Sequence, residues 1–176
     1  LKNALKEAVD NSFNCITVDG CMSTNDSVML LANGAASGKR PPGKEGLKLF
    51  SKALSLVCLE LAKMIVQDAE GATKFIEIKI AGAKDFNQAR RAALSIANSA
   101  LFKTALYGEN PNFGRIAAAV GASGVNASEK NLKIKVSSLR KKVITVNVAL
   151  GAGKANAVVY TSDLTPEYIK INAEYN

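Results

Sequence analysis

The sequence predicts an α+β protein with a mixed or antiparallel sheet, and three observations carry that expectation. Leu47, Phe50, Leu54, Val57, Leu61 and Met64 recur three and four residues apart, as the apolar face of a helix does. The run "KFIEIKIAG" sets Ile76, Ile78 and Ile80 against Glu77 and Lys79, the two-residue alternation of a strand buried on one side. Helical and strand-like runs are mixed along the chain and end in four strand-like runs, without the regular alternation of a parallel α/β fold.

Residues 2–12 read as a helix with Leu5, Ala8 and Val9 on one face. The next stretch, "ITVDGCMSTND", packs Asp19, Gly20, Ser23, Thr24, Asn25 and Asp26 between two apolar runs, the second of which, Ser27 to Ala32, predicts a buried strand. "NGAASGKRPPGKEG" has the Gly, Pro and Ser content of a loop. The helix of Leu47 to Met64 is expected to stop near "DAEGATK", where Gly71 can adopt the left-handed conformation of a helix terminus. Asp85 with Gln88 three residues on forms a capping box that predicts a helix through about Phe102. Asn110 before Pro111 predicts an N-cap with proline at the first helical position. Strands are then expected at 132–136, 143–150, 155–160 and 168–173, with "LGAGKAN" as a hairpin turn.

Composition narrows the chemistry. The chain has 176 residues, 48% of them hydrophobic and 22% charged, enough to bury a core as one domain or two small ones. No apolar run reaches the roughly 20 residues that cross a bilayer, and "LKNALKEAVD" lacks a signal-peptide core, so a soluble protein is expected. The start at Leu1 points to a fragment or a processed chain. Three cysteines, Cys15, Cys21 and Cys58, lack zinc-ligand spacing and suit free thiols in the cytoplasm. There is no histidine, so any catalysis within the chain must use another base. The net charge of +8 is scattered and its lysines and arginines are not interleaved with aromatics, which favours a solvated basic surface over a nucleic-acid platform.

Three stretches are candidates for chemistry. The Asp19 to Asp26 knot has the oxygens for a cation without the spacing of a calcium loop, and a self-satisfied hydrogen-bond network is the plainer role. "YGENPNFGRI" offers a helix N-terminus and Arg115 to an anion; a capped turn with a surface arginine is the plainer role there. "LGAGKAN" lacks the Lys-Ser/Thr ending and following helix of a phosphate loop.

Four long motifs in order go further: "FNCITVDGCMSTNDSVMLLANG", "EGATKFIEIKIAGA", "KTALYGENPNFGRIAAAVG" and "TSDLTPEYIKINAEYN". From Leu1 to Asn176 the chain resembles the β chain of the bifunctional ornithine acetyltransferase/glutamate N-acetyltransferase family of arginine biosynthesis. The resemblance implies a layered α/β/β/α fold, mechanistically akin to N-terminal-nucleophile hydrolases but different in topology. Residues 1–72 would belong to the catalytic layered domain, and 73–176 to a smaller C-terminal α+β portion whose tail returns to the active site. It further implies a precursor that cuts itself before a threonine, which becomes the nucleophile. A threonine hydroxyl is a weak nucleophile at neutral pH, but its own free α-amine, with a pKa of about 8, can take its proton.

The family's nucleophilic threonine lies upstream of Leu1, and the threonines of this chain are internal without a free amine, so no catalytic residue is expected here and the isolated chain is expected to be inactive. By match to the family motifs, Glu70 and Asn172 are the substrate-binding residues. An α chain from the same precursor is the implied partner, in a heterotetramer of two α and two β chains acting on N-acetylornithine and glutamate. No metal or cofactor, membrane or nucleic acid is implied; acetyl-CoA stays open as an alternative acetyl donor. Cys21 stands where the family usually has an acidic residue. The resemblance also suggests that Asp and Thr side chains of the knot bond one another and the local backbone to stiffen the segment near the nucleophile. Two rival readings are a related N-terminal-nucleophile aminopeptidase or amidohydrolase, which "EGATK" argues against, and a basic nucleic-acid-binding module, which would bind with a steep salt dependence.

Overall fold

A computed structural model describes residues 1–36 and 43–174. The chain divides into two units, Leu1–Asn14 with Met22–Lys63, and Cys15–Cys21 with Met64–Asn176. In the first, α1 (Lys2–Asp10) ends as its cap residue Asn11 donates backbone and side-chain N–H groups to the Glu7 carbonyl. The predicted strand at 27–32 is absent: the segment is irregular, with Met29 79% and Leu31 92% exposed. A strand needs a neighbour to receive its backbone hydrogen bonds, and among the described residues none pairs with this run. Residues 37–42 of the predicted loop lie outside the described residues.

Helix α2 spans Lys44–Gln67, and its predicted buried face is a correction. Leu47, Val57, Leu61 and Met64 are about half exposed, as are Ile65 on the same face and Leu56 on another, while Cys58, Ala62 and Val66 are the buried positions. Three-and-four spacing marks which face of the helix is apolar but not what covers it, and among the described residues that face is left largely open.

The second unit holds a four-stranded mixed sheet in the order β2–β3–β1–β4, with β1 at Phe75–Ala83, β2 at Lys133–Val136, β3 at Val143–Ala149 and β4 at Ala155–Ser162. The α+β class and the mixed sheet are as expected. β1 pairs in parallel with β3 and antiparallel with β4, and the registers line up Ile76 with Ile144 and Thr161, Ile78 with Val146 and Val159, and Ile80 with Val148 and Ala157. These rows are buried, and they form the face covered by α3 (Phe86–Ala97). The helix meets them with Ala89, Ala92, Ala93, Ile96 and Ala97, small residues that allow a close approach. Burying each such isoleucine is worth about 1.5–3 kcal/mol. On the opposite face Phe75 stacks on Tyr160 at 5.6 Å and Glu77 pairs with Lys79.

Three further expectations shift. The Asp85 cap forms, but the helix ends at Ala97, and Ser99 caps a separate α4 (Ala100–Tyr107) by accepting from Phe102 N–H. The next helix, α5 (Phe113–Ala122), is capped by Asn112 rather than Asn110. "LGAGKAN" is not a hairpin turn, because β3 and β4 are not neighbours: it carries the chain across the end of β1, where Ala152 and Gly153 N–H groups donate to the Gly82 carbonyl. A Cβ on Gly153 would lie 2.3 Å from the Ala83 oxygen, so the crossing requires glycine.

The largest correction is the predicted strand at 168–173, which is the helix α6 (Pro166–Ala173). Thr165 caps it, accepting from Tyr168 N–H, and Pro166 stands at its start.

Candidate functional site

Between α2 and β1 the chain makes a tight turn closed by Ala72 N–H to the Ala69 carbonyl, with Gly71 at φ +62. Glu70 sits at the apex. The turn is clamped from the far end of β4. Asp163, 3% exposed, accepts from Thr73 N–H at 2.9 Å, Thr73 Oγ1 at 2.5 Å and Lys74 N–H at 3.0 Å. Thr165 Oγ1 donates to the Gly71 carbonyl at 2.7 Å while capping α6. The start of α6 therefore lies directly on the turn, and two turns of helix bring Asn172 back over it. Asn172 Nδ2 donates to Glu70 Oε2 at 2.9 Å and to the Tyr168 carbonyl at 3.0 Å. Both partners are acceptors, which fixes the amide orientation with its nitrogen toward Glu70. Residues 102 positions apart thus stand side by side at an exposed edge.

Lys74 braces the same turn from below. Its ammonium is largely buried and bonds Glu109 Oε1 at 3.0 Å and the Leu139 carbonyl at 2.6 Å.

The first part of the polar knot, Ile16 to Cys21, lies along the edge strand β4 through an isolated bridge of Ile16 with Tyr160. The Thr17 and Asp19 side chains bond distant elements and local backbone, and Asp19 also bonds the Cys21 side chain. Thr17 Oγ1 donates to Asn98 Oδ1 at 2.7 Å and accepts from Gly20 N–H. Asp19 accepts from Cys21 N–H at 2.8 Å and from the Tyr168 hydroxyl at 2.7 Å. In the remaining part, Ser23 Oγ accepts from Asn25 and Asp26 N–H groups, a self-contained turn.

Beneath Asp19 lies Lys103, a lysine 2% exposed within an otherwise apolar helix. Its ammonium bonds the Val18 carbonyl and, at 3.3 Å, Thr161 Oγ1. Burial lowers its pKa to about 8, against the opposing pull of Asp19 and Asp163. The hydrogen bond to Asp19, with burial, pushes Tyr168 up to about 12. For Asp19 itself, burial acts upward, but the bonds from Tyr168 and Cys21 and the charge of Lys103 outweigh it and hold the carboxyl below its ordinary value.

Lys103 makes stability depend on pH in a checkable direction. Below about pH 8 the amine is charged in both folded and unfolded chains, and the fold bears the full cost of burying it. Between about 8 and the ordinary 10.5 the unfolded chain holds the extra proton, so stability rises with pH. At about 1.4 kcal/mol per pKa unit, the gain over a Lys103→Met variant is on the order of 3 kcal/mol. Urea midpoints of both proteins across this range test it; a constant difference between them would contradict the assignment.

The other candidates take their plainer roles. Asn112 caps α5 at Arg115 N–H, and the Arg115 guanidinium bonds the Leu101 carbonyl and Thr104 Oγ1, beside a cleft of about 480 Å³ that it shares with Ser95, Ser99 and Ala118. Sequence reasoning does not single out Tyr168, Lys103, Asp163 or Thr165. Signals for two of them are nonetheless present: "TPE" is a capped helix start with proline at its first position, and a lone lysine in "ALFKTALY" is out of place on an apolar helix.

Comparison with known proteins bears on the whole chain. The chain is 44% identical over 197 residues to the arginine biosynthesis bifunctional protein ArgJ of Geobacter sulfurreducens, covering 99% of this chain and 50% of that protein. It is also 44% identical over 194 residues to the glutamate N-acetyltransferase of Methanopyrus kandleri, covering 97% and 50%. It therefore spans about half the length of these curated relatives. A crystal structure of the arginine biosynthesis bifunctional protein ArgJ from Bacillus halodurans superposes with a TM-score of 0.91 at 36% identity, covering 99% of this chain and 92% of that one. A sequence model of the ArgJ family matches residues 1–140 and 136–176, and with it the chain belongs to the ArgJ family.

Proposed function

We propose that this chain forms the amino-acid-binding part of an N-acetyltransferase of arginine biosynthesis that moves acetyl from N-acetylornithine to glutamate. The observation that carries the reading is the Glu70–Asn172 pair, joined by a 2.9 Å hydrogen bond at an exposed edge, in a chain of the ArgJ family. Because Asn172 Nδ2 is committed to Glu70 and to the Tyr168 carbonyl, the pair offers acceptors outward: the amide Oδ1 and the second carboxylate oxygen. Two acceptors, one of them charged, suit an ammonium group, such as an amino group of ornithine or of glutamate, better than a carboxylate.

In this reading the attacking hydroxyl belongs to a threonine outside the chain, freed by self-cleavage of a precursor. Its α-amine takes the hydroxyl proton as the oxygen attacks the acetyl carbonyl of N-acetylornithine, and ornithine leaves with that proton. The free-base amine of glutamate then attacks the acetyl ester, the ester C–O bond breaks, and the threonine hydroxyl is restored with the proton the nitrogen gives up through the α-amine. Glu70 and Asn172 hold the free ammonium of N-acetylornithine, at the end remote from its acetyl group, so that the acetyl carbonyl meets the threonine. The partner is the α chain of the same precursor, in an assembly of two α and two β chains in the cytoplasm. The exposed apolar residues of α2, with Met29 and Leu31, support a covering partner.

The test is acetyl exchange between N-acetylornithine and glutamate by the full-length protein, beside the present chain alone. Exchange is expected from the first and none from the second. Glu70→Gln removes the charge and should lower kcat/KM by about 10–100-fold, the worth of one charged hydrogen bond. Full activity in that variant, or exchange by this chain alone, would contradict the assignment.

A further inference from the structure

Helix α6 is unusual in what holds it. It has eight residues and none is buried, and Ile169 is 61% exposed. A helix of that length is unstable in water on its own, and this one has no apolar face in a core to compensate. Its first turn is fixed by the Thr165 cap and by the close approach of Gly71. Further along, among the described residues, its side chains hydrogen-bond to other elements at two points: Tyr168 to Asp19 and Asn172 to Glu70. Tyr168 lies one helical turn before Asn172, and its carbonyl accepts from the Asn172 amide.

The anchor under Tyr168 is firm. The Asp19 turn is closed by Cys21 N–H, its Val18 carbonyl accepts from the buried Lys103 ammonium, and Thr17 is tied to Asn98 at the end of α3 and to the Tyr160 carbonyl of β4. We propose that Tyr168 is a positioning residue: its hydroxyl, bonded to Asp19, docks α6 on this turn and so sets the place of Asn172 against Glu70. The polar knot thereby acts on the substrate pair through one hydroxyl, at a distance and without touching substrate. The inference deepens the proposed function and rests on it for its kinetic consequence, but the docking of α6 stands on geometry alone.

Two measurements on the full-length protein separate these layers. In a crystal structure of Tyr168→Phe, Asn172 Nδ2 and Glu70 are expected beyond hydrogen-bond distance; retention of the 2.9 Å contact overturns the inference, whatever the enzyme does. In acetyl exchange, Tyr168→Phe is expected to raise KM about three- to tenfold with kcat within about twofold, the effect of losing one hydrogen bond that aligns a binding group. Asp19→Ala should match it and the double variant should be no worse than either, because all three break the same contact. Asp19→Asn keeps an acceptor oxygen and should return KM most of the way to that of the unsubstituted protein. A destabilised fold would instead lower the active fraction without changing KM, and that pattern, or additive losses in the double variant, overturns the proposal. Absence of acetyl exchange in the unsubstituted protein would sink the proposed function, while the crystal structure of Tyr168→Phe would still decide how α6 is docked.

Discussion

Replacing Gly71 with alanine is expected to destabilise the protein by about 2–5 kcal/mol, combining the cost of a left-handed non-glycine residue with that of overpacking. The added Cβ would lie 2.5 Å from the Tyr168 backbone nitrogen and 2.9 Å from the Glu167 carbonyl carbon, at a residue whose φ is +62. Neither neighbour is the tip of a flexible side chain. The start of α6 must therefore lift away, taking with it the Thr165 bond to the Gly71 carbonyl and the Asn172 contact with Glu70. The urea midpoint reports the first effect, and hydrogen exchange of the α6 amides, expected to become unprotected, reports the second. Normal protection in α6 would show that the close approach is not what seats the helix.

Asp163→Ala is expected to cost roughly 3–5 kcal/mol, the range for stripping a buried charge from its partners. Three donors, Thr73 N–H, Thr73 Oγ1 and Lys74 N–H, converge on this carboxylate, which is itself 3% exposed, and all three lose their partner when it is removed. The loss also removes one of the two carboxylates that offset the buried charge of Lys103. For a protein of this length, such a cost lowers the melting temperature by roughly 6–20 °C. Asp163→Asn is the informative control. Its oxygen can still accept from the two backbone groups while its amide donates to Thr73 Oγ1, so a large part of the stability should return. Equal losses in the two variants would assign the effect to charge and leave hydrogen-bond geometry out of it.

What is legible in the sequence is local. β1 announces itself because Ile76, Ile78 and Ile80 face one buried side and Glu77 and Lys79 the other. The α3 cap is legible because Asp85 and Gln88 meet within one turn. α6 misleads for the same local reason: "YIKINA" carries β-branched and aromatic residues in near alternation, and no burial marks it as a helix, so the cap at Thr165 is the sole clue. α2 and the run at 27–32 mislead differently. Their apolar residues are what a buried helix face and strand would use, yet within this chain those residues stay exposed. Glu70 and Asn172 carry no pattern of their own and are named through family resemblance alone. Their nearness depends on a turn, a strand end and a helix meeting across the sequence, which periodicity cannot register.

The order of the sheet has a consequence for how the chain is made. β1 takes both its neighbours from β3 and β4, so no partner for it exists until synthesis has passed Val143, and the second is incomplete until Ser162. At roughly 5–20 residues per second a ribosome needs several seconds to cover that distance. For that interval a strand of bare isoleucines waits with both edges open to wrong pairing, and α3, which follows it directly, is the first element made that can cover its apolar face.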